Sequence, residues 1–368
     1  MPNVLSIIPY QFLPPKTGGQ RCIAFFYRFF SKHTSVTCVG VKANDLSVAT
    51  DYTILPLLAN NKFRYINPLY FFVLKRLIQR NNITHIIIEH PYYGWLGLLL
   101  AAFTNAKLVV RSHNIEGLRF KEMRKWWWKI LWQYEKYIHR NADINFFITD
   151  EDKQYGIEKF GLSVEKCITI TYGFEMNTPP SIEAKTKAHT FLSTKHQIAA
   201  DEKILLFNGV LDYPPNTQAL RIITEVICPL LLKKNFSFKI IICGKSLPQD
   251  FNNFSDHENI IYTGFVDDIN IYFAGADIFI NPVIEGGGIK TKLVDALGSN
   301  LSSVSTQRGA TGIPLSITGN KLKLVRDGDW EEFVNQIIAT DTSELMPPPF
   351  YQHFYWGNIA QKALNTIS

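Results

Sequence analysis

DIFINPVIEGGGIKTKLVDAL, residues 277–297, runs from an apolar strand through a proline, a glutamate and three glycines into a helix. The turn of such a unit lies beyond the carboxyl end of its strand, where open α/β sheets bind their ligands. Glycines let backbone N–H groups approach a ligand closely. The start of the following helix presents unpaired donors and a partial positive charge. Together these features suit an anion of the phosphate type. Lys290 and Lys292 fall in the first turn of the expected helix. Cations there oppose the helix dipole by about 0.3–1 kcal/mol each, a penalty that a bound diphosphate reverses. Asp295 follows Lys292 by three residues, on the same helix face, where a carboxylate can accept ribose hydroxyls. A glycine-rich loop with solvated lysines is the plainer alternative. The convergence of glycines, helix start and lysines on one ligand geometry favours the anion site.

The same strand–helix unit recurs outward from this segment. Strands are expected at 4–9, 36–41, 83–89, 107–111, 144–149 and 167–170, with helices at 69–80 and 118–140 among them. A polar break covers 178–200. The pattern restarts with strands at 203–207, 238–243, 260–262, 277–281 and 302–305, and helices at 216–233, 268–274, 289–298 and 330–339. The strands are continuously apolar rather than alternating, as in parallel sheets covered on both faces. Two such series predict two Rossmann-like, doubly wound α/β domains facing across a cleft that binds the ligands.

Composition agrees. A chain of 368 residues accommodates two domains, and 46% hydrophobic with 19% charged residues is a globular balance. A net charge of +6 suits anionic small molecules or an anionic membrane surface and does not by itself indicate nucleic acid. The five cysteines, Cys22, Cys38, Cys167, Cys228 and Cys243, are scattered in apolar runs without a CxxC pair. This predicts neither a disulfide framework nor a zinc site, but reduced thiols in a cytoplasmic protein. No secretory leader pattern opens the sequence. The longest apolar stretch, 95–103, is short of the about 20 residues that span a bilayer. The expectation is a cytoplasmic protein, either soluble or peripheral at the inner face of the cell membrane.

Several stretches resemble the retaining family 4 glycosyltransferases of the GT-B fold, the group 1 glycosyltransferases. RSHNIEGLRF (111–120) resembles the histidine-bearing loop of their N-terminal domain, and YEKYIHRNADINFFITDED (134–152) the helix and strand after it. LLFNGVLDYPPNTQAL (205–220) resembles the first strand–turn–helix of their C-terminal domain, and GFVDDINIYFAGADIFINP (264–282) the run into the donor motif. The resemblance implies an acceptor-side domain at 1–174, a nucleotide-sugar-binding domain at 175–348, and a helix at 349–368 returning to the first domain. It implies that Glu285 contacts hydroxyls of the donor sugar, that Asp295 holds the ribose, and that Lys290 and Lys292 hold the diphosphate. Gly286, Gly287 and Gly288 would supply backbone donors, and His113 would sit beside the sugar and stabilise the transition state. Gly18 and Gly19, in the turn after the first strand, would close over the phosphates from the other domain, and Phe265 would lie near the base. The implied donor is a UDP- or GDP-sugar, with retention at the anomeric carbon, no permanently bound cofactor and no essential metal. The implied acceptor is a glycan or lipid-linked sugar.

The sequence also departs from the family pattern. Leu293 occupies the place, seven residues after Glu285, where many members have a second glutamate, and the acid appears as Asp295. Val210 stands where many members have an arginine, which shifts the cationic load to Lys290 and Lys292, aided by Lys245. Asn300-Leu301-Ser302 replaces a Gly-x-Pro turn, with Asn able to take a helix-capping left-handed conformation.

Other features carry competing readings. Asp150-Glu151-Asp152 matches a metal-binding D-x-D, yet carboxylates opening a helix are ordinary capping residues. Glu89 and His90 end a strand and either line the acceptor cleft or cap the next helix. In 121–140, Lys121, Lys125, Lys129 and Lys136 mark one helical side, with Trp126, Trp127, Trp128 and Trp132 interleaved. That face suits either an anionic membrane or domain packing. An epimerase of the same fold, which needs no acceptor, and a degenerate transferase that only binds glycan or a partner are the rival functions. A dehydrogenase is disfavoured, because no G-x-G-x-x-G follows the first strand.

Overall fold

The computed structural model describes residues 1–49 and 51–368. The chain forms two compact units, one of Met1–Glu175, Gly287–Ile289 and Tyr355–Ser368, the other of Met176–Gly286 and Lys290–Phe354. Each is a parallel sheet covered by helices.

In the first unit the strands are β1 (Asn3–Ile7), β2 (Ser35–Val41), β3 (Thr53–Leu58), β4 (His85–Glu89), β5 (Lys107–Ser112), β6 (Ile144–Phe147) and β7 (Cys167–Thr169). They lie in the order β3-β2-β1-β4-β5-β6-β7, all pairs parallel. The chain winds outward from β1 to β3, then returns to place β4 on the other side of β1. The loops after β1 and β4 therefore diverge, leaving a crevice at this reversal. Helices Leu69–Arg80, Gly94–Ala102 and Trp128–Asn141 share one apolar core with one face of this sheet, through Leu74, Ile78, Leu96, Leu100 and Ile138. Each such fully buried side chain contributes about 1.5–3 kcal/mol of transfer free energy. The closing helix Trp356–Ile367 also belongs to this unit: Phe29 meets Tyr355 edge to face at 5.7 Å, and Tyr172 meets Trp356 at 5.4 Å.

The second unit contains β8 (Lys203–Val210), β9 (Phe238–Lys245), β10 (Ile260–Gly264), β11 (Ile278–Asn281), β12 (Ser302–Thr306) and β13 (Leu322–Val325). Their order is β10-β9-β8-β11-β12-β13, again parallel. Here the winding reverses between β8 and β11.

Several elements differ from expectation. β3 was not expected; its run TILPLL contains Pro56, which an edge strand tolerates. β13 is a four-residue strand on the opposite edge of the other sheet, too short to show a pattern. Gly18 and Gly19 open a helix, Gly18–Phe30, instead of lying in a turn. Gln20 Oε1 accepts the backbone N–H groups of Lys16 and Thr17, both at 2.9 Å, and so starts the helix early. The break at 178–200 contains helix Ile182–His196, which buries only Ala188 and Leu192 and thus has no apolar stripe to read. The single helix expected at 118–140 is two, Glu116–Glu122 and Trp128–Asn141, separated by a turn with Arg124 at φ 54°. The helix expected at 216–233 passes through a π-turn at Ile223–Ile227 ahead of Pro229, whose missing N–H the wider turn accommodates.

Candidate active site

In the second unit, the crevice between β8 and β11 is bridged by side chains. Lys292, in the first turn of helix Thr291–Gly298, donates from Nζ to the Asn208 carbonyl at 3.2 Å and to Asn216 Oδ1 at 2.9 Å. Its ammonium also lies 4.0 Å from the centre of the Phe207 ring. Asn216 is fixed in turn, donating from Nδ2 to the Val210 carbonyl at 2.9 Å. A Cβ on Gly209 would come 2.6 Å from that same Nδ2, so only glycine leaves room for the arrangement. Burial, reinforced by neighbouring Lys290, brings the Lys292 ammonium down to about 7. An ammonium has three N–H bonds, and two are used here. The third and the cation's unneutralised charge make this a place for an anion.

The loop from Pro282 to Lys290 shows why the glycines are needed. Gly286 and Gly288 have φ of +84° and +67°, which L-side chains rarely adopt. Lys290 closes the turn, its Nζ donating to the Gly286 carbonyl at 2.7 Å. Glu285 is exposed, and its Oε1 accepts from Gln218 Nε2 at 3.3 Å. Asp295 is 4% exposed, one turn into the helix beyond Lys292. Lys245 ends β9 and Phe265 follows the end of β10, both exposed at the same edge of the sheet as the β8–β11 crevice. Asn300 has φ 57°, the left-handed residue that ends the helix, and its Oδ1 accepts the Met346 N–H at 2.8 Å.

In the first unit, the crevice between β1 and β4 holds a buried polar network. Glu89 Oε2 lies 2.6 Å from His113 Nε2 and 3.0 Å from Arg111 Nη1, while Tyr27 Oη donates to Glu89 Oε1 at 2.6 Å. Burial alone would raise the Glu89 carboxyl, but Arg111 and then His113 outweigh it and hold it at about 2. Burial, with His90 close by, lowers His113 to about 4 despite Glu89. His113 is therefore neutral above that pH, with its proton on Nε2 facing the carboxylate. A second chain of bonds runs beside it. Glu116 Oε1 faces His90 Nδ1 at 3.0 Å, and His90 Nε2 faces Tyr10 Oη at 3.0 Å. Tyr92 and Arg119 donate to the other oxygen of Glu116, at 2.6 and 3.1 Å. The rings of His90 and His113 are 4.3 Å apart. Gly19 adjoins this group, since a Cβ there would lie 3.5 Å from Tyr10 Oη. Glu135, buried on helix Trp128–Asn141, accepts the N–H groups of Glu116 and Gly117, each at 2.9 Å, and anchors the helix that carries Glu116.

Of the expected residues, Glu285, Gly286, Lys290, Lys292 and Asp295 share the loop and helix after β11, while His113 and Gly19 share the β1–β4 crevice. Sequence reading missed Tyr10, Tyr27, Arg111 and Glu116 in one group and Phe207, Asn208 and Asn216 in the other. Arg111 was legible in principle, because residues two apart at a strand end face the same side, and His113 was already singled out. Asp150, Glu151 and Asp152 form the first turn of a helix capped by Thr149, whose side chain accepts the Asp152 N–H at 3.1 Å. Among the described residues, no group of three or more His, Cys, Asp or Glu side chains is placed to hold a metal ion.

Comparison with known proteins places this geometry. The glycosyl transferases group 1 profile matches residues 202–340, and the Glycosyltransferase Family 4 profile matches residues 28–177. An uncharacterized 44.6 kDa protein in the cps region of Klebsiella pneumoniae is 29% identical over 142 residues, and the match spans 36% of this chain and 36% of that relative. The O-antigen biosynthesis glycosyltransferase WbnH of Escherichia coli is 23% identical over 267 residues, 71% of this chain and 67% of that one. The crystal structure of HepE from Anabaena, in complex with UDP, superposes with a TM-score of 0.74 at 14% identity over 99% of both chains. With one family profile on each parallel-sheet unit, the chain belongs to the group 1, family 4 glycosyltransferases and carries their GT-B fold.

Proposed function

We propose that this chain transfers a sugar from a nucleoside-diphosphate sugar, a UDP- or GDP-sugar, to a glycan or lipid-linked acceptor in the synthesis of a cell-surface polysaccharide or glycolipid. The observation that carries the proposal is the Lys292 ammonium at the β8–β11 crevice, beside a helix start and a glycine turn. The relatives support the setting, since WbnH is named for O-antigen biosynthesis and HepE was crystallised with UDP.

The chemistry follows from charge. The bond from the anomeric carbon to the diphosphate breaks, and the diphosphate keeps the electron pair. The acceptor oxygen bonds to that carbon, and its proton passes to the departing diphosphate. Lys292, Lys290 and the backbone N–H groups of the glycine loop stabilise the charge that develops on the leaving group. Glu285 and Asp295 hold hydroxyls of the sugar and ribose, and neutral His113 sits beside the sugar. Transfer proceeds with retention and without a metal ion, and the enzyme works at the inner face of the cell membrane.

A thermal-shift panel of UDP-, GDP-, ADP- and TDP-sugars tests the donor site: one nucleotide class should raise Tm, and a shift with none would sink the proposal. With the responding donor, NMR of the product reports the anomeric configuration, and inversion would contradict the proposed retention. Conversion of the donor sugar without acceptor would instead identify an epimerase. Donor binding without turnover would identify a degenerate, binding-only protein.

A further inference from the structure

We infer that the segment from Lys62 to Arg80 is a membrane-docking surface that lays an apolar face, ringed by cations, on an anionic lipid bilayer. The inference rests on the membrane-linked acceptor proposed above and names the surface that would bring the enzyme to it.

Helix Leu69–Arg80 buries Tyr70, Leu74 and Ile78 against the first sheet. Its opposite side is the one that a water-facing helix fills with polar residues. Instead it carries Leu69, Phe72 and Val73, all exposed, followed by the exposed Arg76 and Arg80. The short helix just before it, Lys62–Ile66, adds Phe63 and Ile66, which are 76% and 71% exposed. Phe103 extends the patch. It packs edge to face on Phe71 at 5.5 Å, and Lys75 lies over both rings, its ammonium 5.8 Å from the Phe71 centre and 5.4 Å from that of Phe103. Large side chains concentrated like this on one surface mark an interaction site rather than the scattered exposure of ordinary proteins.

Charge selects the partner. Between Asp51 and Glu89 the sequence has no Asp or Glu, and from there to Glu116 it has none either. Glu89 itself is fully buried and paired with Arg111. Among the described residues, Lys62, Lys75, Arg76 and Arg80 take part in no ion pair, so the apolar patch is bordered by cations, the pattern that binds anionic headgroups. This relocates the surface that the sequence suggested. In 121–140 the helix is broken at Arg124, Trp132 is turned inward to donate to Tyr155 Oη at 3.0 Å, and Lys136 donates to the Lys159 carbonyl at 3.0 Å. Trp126 and Ile130 remain exposed there. Helix Trp128–Asn141 covers the same face of the sheet as helix Leu69–Arg80, so these two residues can at most add to the docking face.

Co-sedimentation with vesicles tests the inference, using phosphatidylcholine alone and phosphatidylcholine mixed with phosphatidylglycerol. The full chain should sediment with the mixed vesicles and stay in solution with the neutral ones. Phe63→Ser and Phe72→Ser should each weaken binding about tenfold, and Arg76→Gln and Arg80→Gln about fivefold each. Trp126→Ser should have a smaller effect. These side chains are exposed, so Tm and the thermal shift with nucleotide sugar should not change. Three results would overturn the inference: no sedimentation of the wild type, undiminished binding by Phe63→Ser/Phe72→Ser, or loss of self-association in gel filtration as the only effect of that pair. The donor assay is independent, so a donor response without vesicle binding rejects this inference alone. Vesicle binding without a donor response rejects the proposed function.

Discussion

Tyr10 Oη and His90 Nε2 lie 3.0 Å apart, across the place where the first sheet reverses its winding. In the second sheet, Lys292 spans the corresponding reversal to reach Asn208 and Asn216. Each unit thus ties the crevice at its winding reversal with a titratable side chain rather than with apolar packing. His90 is held in a costly conformation, φ 62° and ψ 161°, a region open almost only to glycine. What holds it is Glu116, which also takes Tyr92 and Arg119. Burial would raise the Glu116 carboxyl, but its bond and charge interaction with His90, and then Arg119, bring it to about 2. Glu116→Ala leaves buried His90 Nδ1 without its partner and frees the half-buried Tyr92 and Arg119, and should destabilise the fold by about 1–3 kcal/mol in urea unfolding. A loss under about 1 kcal/mol would show that the network does not stabilise His90.

The Glu89–Arg111–His113 group makes a prediction about acid. Glu89 is depressed from 4.5 to about 2, so its contribution to stability is present above 4.5 and is lost as pH falls toward 2. His113 is depressed from 6.5 to about 4, so the unfolded chain binds its proton first, and stability falls as pH drops from 6.5 to 4. Both act in the same direction, and urea midpoints should decline continuously from pH 6.5 downward. Glu89→Gln leaves the Arg111 cation buried without its partner, at a cost of about 3–5 kcal/mol. Glu89→Gln/Arg111→Met should recover part of that loss. A double variant no more stable than Glu89→Gln alone would refute the pairing argument.

The repeated apolar strands revealed the doubly wound architecture because parallel strands buried on both faces have few other readings. They did not reveal β3, where Pro56 interrupts an edge strand, or helix Ile182–His196, which buries too little to show periodicity. The glycine turn and Lys292 were legible because glycine and lysine are conspicuous at a helix start. Phe207, Asn208 and Asn216 were not, because their partnership with Lys292 joins loops 76 or more residues apart along the chain. Glu116 was hidden for the same reason, as ordinary helix-start composition reads identically to a carboxylate gripping His90.

Lys292 should give donor binding a pH dependence. Its ammonium is lowered to about 7 by burial and Lys290, so the empty site loses this cation as pH rises through 7. A bound diphosphate favours the charged form. Nucleotide affinity measured by calorimetry should therefore weaken above pH 7, by up to about tenfold for each pH unit until the amine's value in the complex is reached. Lys292→Met removes the charge and should both weaken binding and flatten the profile. An unchanged slope in that variant would assign the titration to another group.

Gly286 and Gly287 make separable predictions. A methyl group on Gly287 would meet nothing within 4 Å, and its backbone is outside the left-handed region, so Gly287→Ala should leave stability unchanged. Gly286 has φ +84°, and a Cβ there would sit 3.2 Å from Pro215 Cγ. Gly286→Ala should cost about 1–2 kcal/mol through the left-handed backbone alone. It should also shift the carbonyl that Lys290 grips, and so weaken nucleotide binding beyond any effect of Gly287→Ala. If the glycines served only as flexible spacing, the two alanine variants would behave alike in both unfolding and calorimetry. A difference confined to Gly286→Ala would show that the turn's backbone conformation, rather than its flexibility, shapes the anion site.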